Sequence, residues 1–249
     1  MKPYYTDRFI TIYHGDCREL LSNLPKVSVC ITDPPTGETK LEWDKCIPID
    51  QWISIIPTSV LWVFGSLKFF LSNAPKMKGW RHIQEVIWEK HNGSGFHADR
   101  FRRVHILIPQ FVRNGVRWTS IYKAPVFTND ATKRTVRRKH RPPHMGDLNR
   151  SIFRSTDGGP KLMRSVIRAR SCHGKADNET QKPTELLRAL IEYSCPPDGV
   201  VLDCFMGAGS TLRAAKDLHR KAIGIDLRES QCEKAARFCS QDVLSLEAK

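Results

Sequence analysis

The sequence lacks the features that mark a membrane protein or a metalloprotein. The 249-residue sequence has no apolar run that approaches the ~18–20 residues of a membrane-spanning helix, and Met1–Tyr5 does not resemble a signal peptide. The eight cysteines form no Cys-x-x-Cys pair, and Cys172-His173 has no partners at the spacing of a zinc site. We therefore expect reduced thiols, a cytoplasmic location, no membrane partner and no metal.

Acidic residues are scarce in one internal segment. Residues 131–175 hold thirteen Lys or Arg but two acids, and so carry eleven of the chain's net fourteen positive charges. A charge run is commonly a solvated face, yet this one is internal and almost entirely of one sign. We predict that it contacts the phosphate backbone of nucleic acid. The candidate contact residues are Lys133, Arg134, Arg137, Arg138, Lys139, Arg141, Arg150 and Arg154.

A short apolar strand that stops at an acid and two prolines organises the N-terminal half. Residues 27–32 are rich in β-branched side chains, which favours a buried strand, and Pro34 and Pro35 cannot continue a strand ladder. In an open α/β sheet, ligands bind beyond the carboxyl ends of the strands. Asp33 is therefore predicted at the mouth of a ligand site, although an ordinary strand-ending turn has the same pattern.

A second strand that ends in an acid lies near the C-terminus. Residues 200–203 are followed by a glycine-bearing turn, a helix, and a strand that ends at Asp226. Gly207 and Gly209 allow a ligand to approach the backbone closely, and the helix start presents free N–H groups to it. The spacing of Asp226 from this turn is typical of a carboxylate that binds ribose hydroxyls. The dinucleotide fingerprint is incomplete, because position 212 is Leu.

The segments between these motifs give weaker signals. Strands are predicted over residues 60–64 and 84–88, and a helix over 49–57. Residues 89–95 are polar and contain glycine, which indicates a mobile loop. Residues 118–127 indicate an extended or hairpin segment.

Together the two motifs resemble those of S-adenosylmethionine-dependent DNA amino-methyltransferases. The turn at residues 203–211 is similar to the family's cofactor motif, and Asp-Pro-Pro-Thr at residues 33–36 is similar to its catalytic Asp-Pro-Pro-Tyr signature. The catalytic motif comes first, the basic segment follows, and the cofactor motif is last. This order resembles the β class of the family, especially its compact phage and prophage members. The resemblance covers roughly residues 10–110 and 178–240.

The resemblance implies an α/β fold: a Rossmann-like methyltransferase sheet of seven strands, with a circularly permuted motif order and a basic insertion. It implies a catalytic half at residues 1–114, a target-recognition and DNA-binding insertion at 115–177, and a cofactor-binding half at 178–249. S-adenosylmethionine is the implied cofactor, and double-stranded DNA is a more plausible partner than RNA.

The resemblance also implies roles for individual residues. Asp33 and the Pro34 carbonyl would accept the amino hydrogens of a flipped-out base, whose nitrogen then attacks the cofactor's methyl group. Asp203 would lie near the cofactor's ammonium, Asp226 on its ribose hydroxyls and Asp16 near its adenine. The implied catalytic residues are Asp33, Pro34, Pro35 and Thr36. The implied cofactor-binding residues are Asp16, Asp33, Lys182, Pro183, Asp203, Phe205, Gly207, Gly209, Ser210, Thr211 and Asp226.

Thr36 departs from the family pattern. The family has an aromatic ring at this position that stacks on the flipped base, and such stacking is worth roughly 1–3 kcal/mol. Trp43, Trp62 and Phe96 are candidate replacement rings, although packing in the core or in a loop is the commoner role for each.

We predict methylation of adenine N6 in DNA, because Asp rather than Ser at position 33 favours adenine over cytosine N4. The short, charge-rich insertion predicts backbone contacts and relaxed sequence specificity. The alternatives are cytosine N4 in DNA, adenine in RNA, and a catalytically inactive nucleic-acid-binding protein, for which Thr36 is the one argument. The target sequence, the oligomeric state (a homodimer included) and the biological role stay open.

Overall fold

The structure is a computed structural model that describes residues 1–94, 98–137, 152–171 and 181–241. The chain divides into two compact units. The larger comprises Met1–Ala124 and Ser165–Lys249, and the smaller is Pro125–Arg164. The smaller unit lies within the segment predicted as an insertion.

The strands, in chain order, are β1 (Tyr5–Thr6), β2 (Ile10–His14), β3 (Val29–Thr32), β4 (Val60–Val63), β5 (Trp80–Ser94), β6 (Arg103–Arg113), β7 (Phe127–Thr128), β8 (Arg134–Arg137), β9 (Ile152–Ser155), β10 (Lys161–Leu162), β11 (Val166–Arg168), β12 (Val200–Asp203) and β13 (Lys221–Asp226). The helices are α1 (Cys17–Leu20), α2 (Asp50–Ile53), α3 (Leu67–Asn73), α4 (Thr184–Ser194), α5 (Ser210–Asp217) and α6 (Glu229–Ser240). Short 3₁₀ turns cover Leu21–Asn23, Ala74–Lys76 and Trp118–Ser120.

The described part of the larger unit is built on one mixed sheet. Its strand order is β1-β2-β13-β12-β3-β4-β6-β5-β11. The five strands from β2 to β4 in this order run parallel, so their carboxyl ends meet at one edge. β6 is antiparallel to β4 and to β5. The motif-bearing strands β3 and β12 are direct neighbours, which brings the two motifs together although they lie far apart in the chain.

Helices cover both faces of this sheet. Every residue of β3 and β4 is buried, as expected for parallel strands with two covered faces. Alternate residues belong to different cores: Ile31 packs in the core that contains residues of α4, α5 and α6. Cys30 packs in the core that contains residues of α1, α2 and α3. The result is a three-layer α/β/α unit.

The structure corrects several expectations from the sequence. The sheet has nine strands in the described residues, not seven, because β1 and β11 pair along its two edges. The prediction of a loop at residues 89–95 was wrong for most of that segment, because β5 continues to Ser94. Pairing with β6 outweighs the polar composition there, although the register is irregular after Glu89. The segment 118–127 begins with a 3₁₀ turn, and the helix expected over 49–57 is limited to α2.

The described part of the smaller unit consists of two antiparallel strand pairs, β7 with β10 and β8 with β9. Asp157 accepts a hydrogen bond from the backbone N–H of Lys133 at 2.6 Å. The side chains of Lys133, Arg134 and Arg154 are exposed. The pair of β8 and β9, together with the residue before β8, therefore presents cations to solvent.

Two findings concern membranes and metals. No helix in the described ranges is long and apolar enough to cross a bilayer. Across the same residues, no three His, Cys, Asp or Glu side chains are grouped so that they could hold a metal ion. The seven cysteines that the structure describes are free thiols, and six of them are buried.

Candidate active site

A cavity of about 480 Å³ opens at the carboxyl edge of the parallel strands. Its wall is made by residues that directly follow β2, β3, β4, β12 and β13, and by the loop that follows the catalytic motif. This is the place where open α/β sheets bind ligands.

The catalytic motif enters the cavity at the end of β3. Asp33 is half-buried, and the loop that follows it is held by Asp44. The Asp44 carboxylate accepts backbone N–H bonds from Thr36 at 2.8 Å, Gly37 at 2.9 Å and Thr39 at 2.8 Å. Burial alone would raise the pKa of Asp44, but the Thr39 hydroxyl and these N–H groups hold the pKa below its usual value. Asp44 therefore stays ionised and fixes the loop.

Lys182 contacts Asp33, the acid that is predicted to be catalytic. Its Nζ donates a hydrogen bond to Oδ2 of Asp33, forming an ion pair between residues 149 positions apart. The same Nζ lies 5.4 Å from the centroid of the Phe64 ring, within the range of a cation–π contact.

Asp203 is buried beneath the glycine turn. Its carboxylate accepts hydrogen bonds from the Thr32 hydroxyl at 2.8 Å and from the Phe205 backbone N–H at 3.2 Å. Burial raises the pKa of Asp203 to about 6, hydrogen bonds from Thr211 and Thr32 oppose the rise, and the charge of Asp33 adds to it. Such a shift in a cleft is typical of a functional carboxylate.

Asp226 organises the opposite side of the turn. Its carboxylate accepts backbone N–H bonds from Gly207 at 3.0 Å and from Arg228 at 2.9 Å. The Arg228 guanidinium lies 3.5 Å from the same carboxylate and stacks 4.6 Å above the centroid of the Trp43 ring. Trp43 therefore belongs to the side of the cavity that Asp226 forms.

Asp16 caps the first helix at the cavity wall. Its side chain accepts hydrogen bonds from the Arg18 backbone N–H at 2.9 Å and from Arg18 Nε at 3.0 Å. The Arg18 guanidinium lowers the pKa of Asp16, although partial burial opposes this effect. Gln51 of α2 in turn accepts a hydrogen bond from Arg18 at 2.7 Å, which ties the cap to a neighbouring helix.

The structure brings most of the predicted site residues into one wall. Two do not line the cavity: Pro183 is buried at the start of α4, and Gly209 packs against α6. Trp43 is in the wall, whereas sequence reasoning missed Asp44 and Arg228, because no local motif connects either to the catalytic or cofactor signature. The predicted residues that line the cavity are Asp16, Asp33, Pro34, Pro35, Thr36, Lys182, Asp203, Phe205, Gly207, Ser210, Thr211 and Asp226.

The candidate replacement rings for Thr36 have different positions. Trp62 is buried in the core, where its Nε1 donates a hydrogen bond to Ser194 Oγ at 3.2 Å, so it cannot stack on a base in the cavity. Trp43 lines the cavity but stacks on Arg228. Phe96 lies outside the described residues.

The predicted DNA-contact residues are described only in part. Lys133, Arg134 and Arg154 are exposed in the smaller unit, and Arg137 ends β8. Arg138, Lys139, Arg141 and Arg150 lie outside the described residues.

A family model described as DNA methylase matches residues 27–237, which is most of the chain. The chain belongs to this family. Two curated relatives are Type II methyltransferases. M.HinfI of Haemophilus influenzae is 28% identical over 100% of this chain and 76% of its own length. M.ScaI of Streptomyces caespitosus is 25% identical over 98% of this chain and 86% of its own length.

Solved structures agree with this membership. The complex of M1.HpyAVI with S-adenosylmethionine (SAM) is 25% identical, with a TM-score of 0.64 over 93% of this chain and 100% of that one. The cytosine-N4-specific PvuII DNA methyltransferase is 14% identical, with a TM-score of 0.64 over 98% and 90% of the two chains, and supports the fold alone. The predicted Rossmann-like fold and the predicted cofactor are confirmed. The protein is a SAM-dependent DNA methyltransferase of the N6/N4 family.

The cavity suits this cofactor chemically. S-adenosylmethionine carries an ammonium and a carboxylate group, a positively charged sulfur, two ribose hydroxyls and an aromatic adenine ring. Carboxylates at Asp203 and Asp226 and apolar surface at Phe205 and Met206 line the same cavity and match these groups.

Proposed function

We propose that the enzyme transfers a methyl group to the exocyclic N6 of an adenine that is flipped out of DNA. One observation carries the proposal: the acid of Asp-Pro-Pro-Thr and the two acids around the glycine turn line a single cavity. This arrangement supports a reaction in which the amino group and the methyl donor meet beside Asp33.

The acids and the turn bind the cofactor in this proposal. Asp226 takes the ribose hydroxyls, Asp203 balances the ammonium, and Asp16 lies near the adenine. The bound cofactor supplies an electrophilic methyl group on a positively charged sulfur. Four further residues support the pocket from the turn and from the start of α4: Lys182, Pro183, Gly209 and Ser210.

Asp33 and the Pro34 carbonyl activate the target nitrogen. The lone pair of an exocyclic amino group is delocalised into the ring, which makes the nitrogen a poor nucleophile. Two acceptors that bind both amino hydrogens favour the pyramidal form, whose lone pair is free to attack. The Asp33 side chain is 37% exposed, so an incoming base can reach it. Flipping the base out of the duplex costs a few kcal/mol of unstacking.

Product analysis tests the choice of base. The protein is incubated with methyl-labelled cofactor and DNA, the DNA is digested to nucleosides, and the labelled nucleoside is identified. The proposal expects N6-methyladenine. N4-methylcytosine contradicts it and places this chain with PvuII methyltransferase, whose fold it shares. Competition between duplex DNA and RNA at matched salt then tests the preference for DNA.

The smaller unit contacts the DNA backbone in this proposal. Each phosphate contact contributes about 0.9 to the slope of log K against log salt for duplex DNA. We expect Lys133→Gln and Arg154→Gln each to weaken DNA binding and to reduce this slope by about that amount. Arg237→Gln is the control, since Arg237 is exposed on α6 and paired with Glu233. Unchanged slopes in both basic variants would contradict the contacts.

Backbone contacts predict relaxed sequence specificity. A set of oligonucleotides with adenine in varied contexts should be methylated at broadly similar rates. Product confined to one fixed motif would contradict relaxed specificity but leave the chemistry intact.

Cofactor binding should weaken in acid because of Asp203. Its pKa is raised to about 6 in the cofactor-free protein, so the carboxyl is protonated below that pH and ionised above it. A protonated Asp203 cannot balance the cofactor's positive charge, and we expect the association constant to fall up to about tenfold per pH unit below pH 6. Equilibrium titration between about pH 5 and 7.5 measures this, with Asp203→Asn as the control whose affinity stays flat. A flat wild-type profile would exclude this role.

A further inference from the structure

We propose that Lys182 is a positioning residue that holds the carboxylate of Asp33 for catalysis, rather than one that acts mainly on the cofactor. The proposal rests on the function above, in which Asp33 accepts the amino hydrogens of the target base. The resemblance placed Lys182 in the cofactor set, but its ion pair with Asp33 is the contact that points to the reaction.

The position of Lys182 is constrained by the fold. It precedes Pro183 at the start of α4, and α4 is anchored in the core by Leu186, Leu187, Leu190 and Ile191. The Lys182 side chain is 12% exposed, with Asp33 at its ammonium group and the Phe64 ring beside it. The backbone of Lys182 is thus held in place by the anchored helix. Its side chain enters the cavity and contacts Asp33.

The charges around Asp33 explain why its ion pair with Lys182 is favourable. Asp33 and the buried Asp203 are near enough for the charge of one to raise the pKa of the other. Two carboxylates at one cavity oppose each other's ionisation, and a cation paired with Asp33 offsets this repulsion. Lys90 is also close to this pair, since burial lowers its pKa and the charge of Lys182 lowers it further. The ion pair with Lys182 therefore holds the Asp33 carboxylate at the cavity, where it can accept an N–H of the base.

The ion pair leaves room for the substrate. An ionised carboxylate offers about four lone-pair sites, and the pair with Lys182 occupies a site on Oδ2. The remaining sites accept the amino hydrogen of the base. Without Lys182, the partly exposed Asp33 side chain loses its fixed orientation. The carboxylates of Asp203 and Asp226, which bind the cofactor in this proposal, stay in place.

The chain provides a matched control for the test. Lys216 also pairs with an aspartate, Asp7, at 2.9 Å, and its side chain is 14% exposed, but neither residue lines the cavity. Lys182→Met and Lys216→Met therefore remove similarly buried ion pairs at the cavity and away from it. Lys182→Arg keeps the charge.

We expect Lys182→Met to lower kcat, at saturating cofactor and DNA, by about ten- to a hundredfold, as for a misplaced catalytic group. The cofactor Kd should change by less than about threefold, because the proposal assigns Lys182 to the acid. Lys182→Arg should recover part of the rate. Lys216→Met should lower the unfolding temperature but retain kcat.

Three kinetic or binding results would overturn the proposal. The first is a large rise in cofactor Kd for Lys182→Met with kcat intact, which would make Lys182 a cofactor ligand. The second is a loss of kcat no greater than in Lys216→Met. The third is a Lys182→Arg variant no better than Lys182→Met, since the proposed effect depends on charge.

A double-mutant cycle keeps this test separate from the proposed function. Unfolding temperatures of Asp33→Ala, Lys182→Met and the double variant reveal the ion pair whether or not methyl transfer is detected. We expect the double variant to lose less than the sum of the single losses, because either change alone strands a charge. Additive losses would overturn the pairing, whereas a wild type that methylates cytosine would overturn only the proposed base.

Discussion

Replacing Asp33 with Ala should reduce kcat for methyl transfer by about a thousandfold, the upper part of the range for removing one group that stabilises a transition state. The variant loses the carboxylate that accepts an amino hydrogen, so the nitrogen lone pair stays delocalised. Cofactor affinity should change far less, because Asp203, Asp226 and the glycine turn remain. Single-turnover kinetics with labelled cofactor measure the rate, and equilibrium titration measures the affinity.

Asp7→Ala is a matched control for Asp33→Ala. Asp7 also pairs with a lysine, but it lies outside the cavity and should affect stability rather than kcat. If Asp33→Ala retained kcat within about tenfold of the wild type, another group would have to activate the base. If the wild type itself transferred no methyl group, the protein would be the inactive nucleic-acid-binding homologue that Thr36 suggests.

Replacing Gly209 with Ala should lower the free energy of unfolding by about 2–5 kcal/mol, through strain of about 1–2 kcal/mol and overpacking of about 1–3 kcal/mol. Gly209 has a φ of 82°, in the left-handed region that L-residues avoid. A Cβ at this position would lie 2.9 Å from the Cβ of Ala235 and 3.2 Å from its Cα. Ala235 is fully buried in α6, so the clash must displace helix backbone.

Thermal unfolding checks this prediction. At about 2–4 °C per kcal/mol for a chain of this size, the unfolding temperature should fall by about 10 °C. Gly79→Ala separates the two causes, because Gly79 has a φ of 85° but nothing within 4 Å of an added Cβ. The control should show the backbone strain alone. Equal losses of stability in both variants would show that the contact with α6 adds nothing. Because Gly209 precedes α5, Gly209→Ala should also shift that helix and weaken cofactor binding.

The structure shows a role for the Thr36 backbone that the sequence did not indicate. The sequence shows a missing aromatic ring, and the structure shows that its backbone N–H is bound by Asp44. The loop is thus held in place without the ring, and Trp43 from the same loop is directed to Arg228. We have no structural account of how the base is stacked at this position.

The sequence alone was sufficient for the parts of the fold that depend on short segments. The β-branched run before Asp33, the prolines after it and the glycines after Asp203 restrict the backbone locally, so strands, turns and the motif order were predictable. Of the fourteen catalytic and cofactor-binding residues that the family resemblance implied, twelve line the cavity.

The tertiary structure alone decided what depends on contacts between distant segments. The neighbouring positions of β3 and β12 bring Asp203 to the Thr32 hydroxyl, and α4 brings Lys182 to Asp33. The extension of β5 beyond Glu89 likewise follows from strand pairing rather than composition. The contacts of Asp203 and Lys182 join residues more than a hundred positions apart, and no periodicity or spacing within one segment encodes which strands become neighbours.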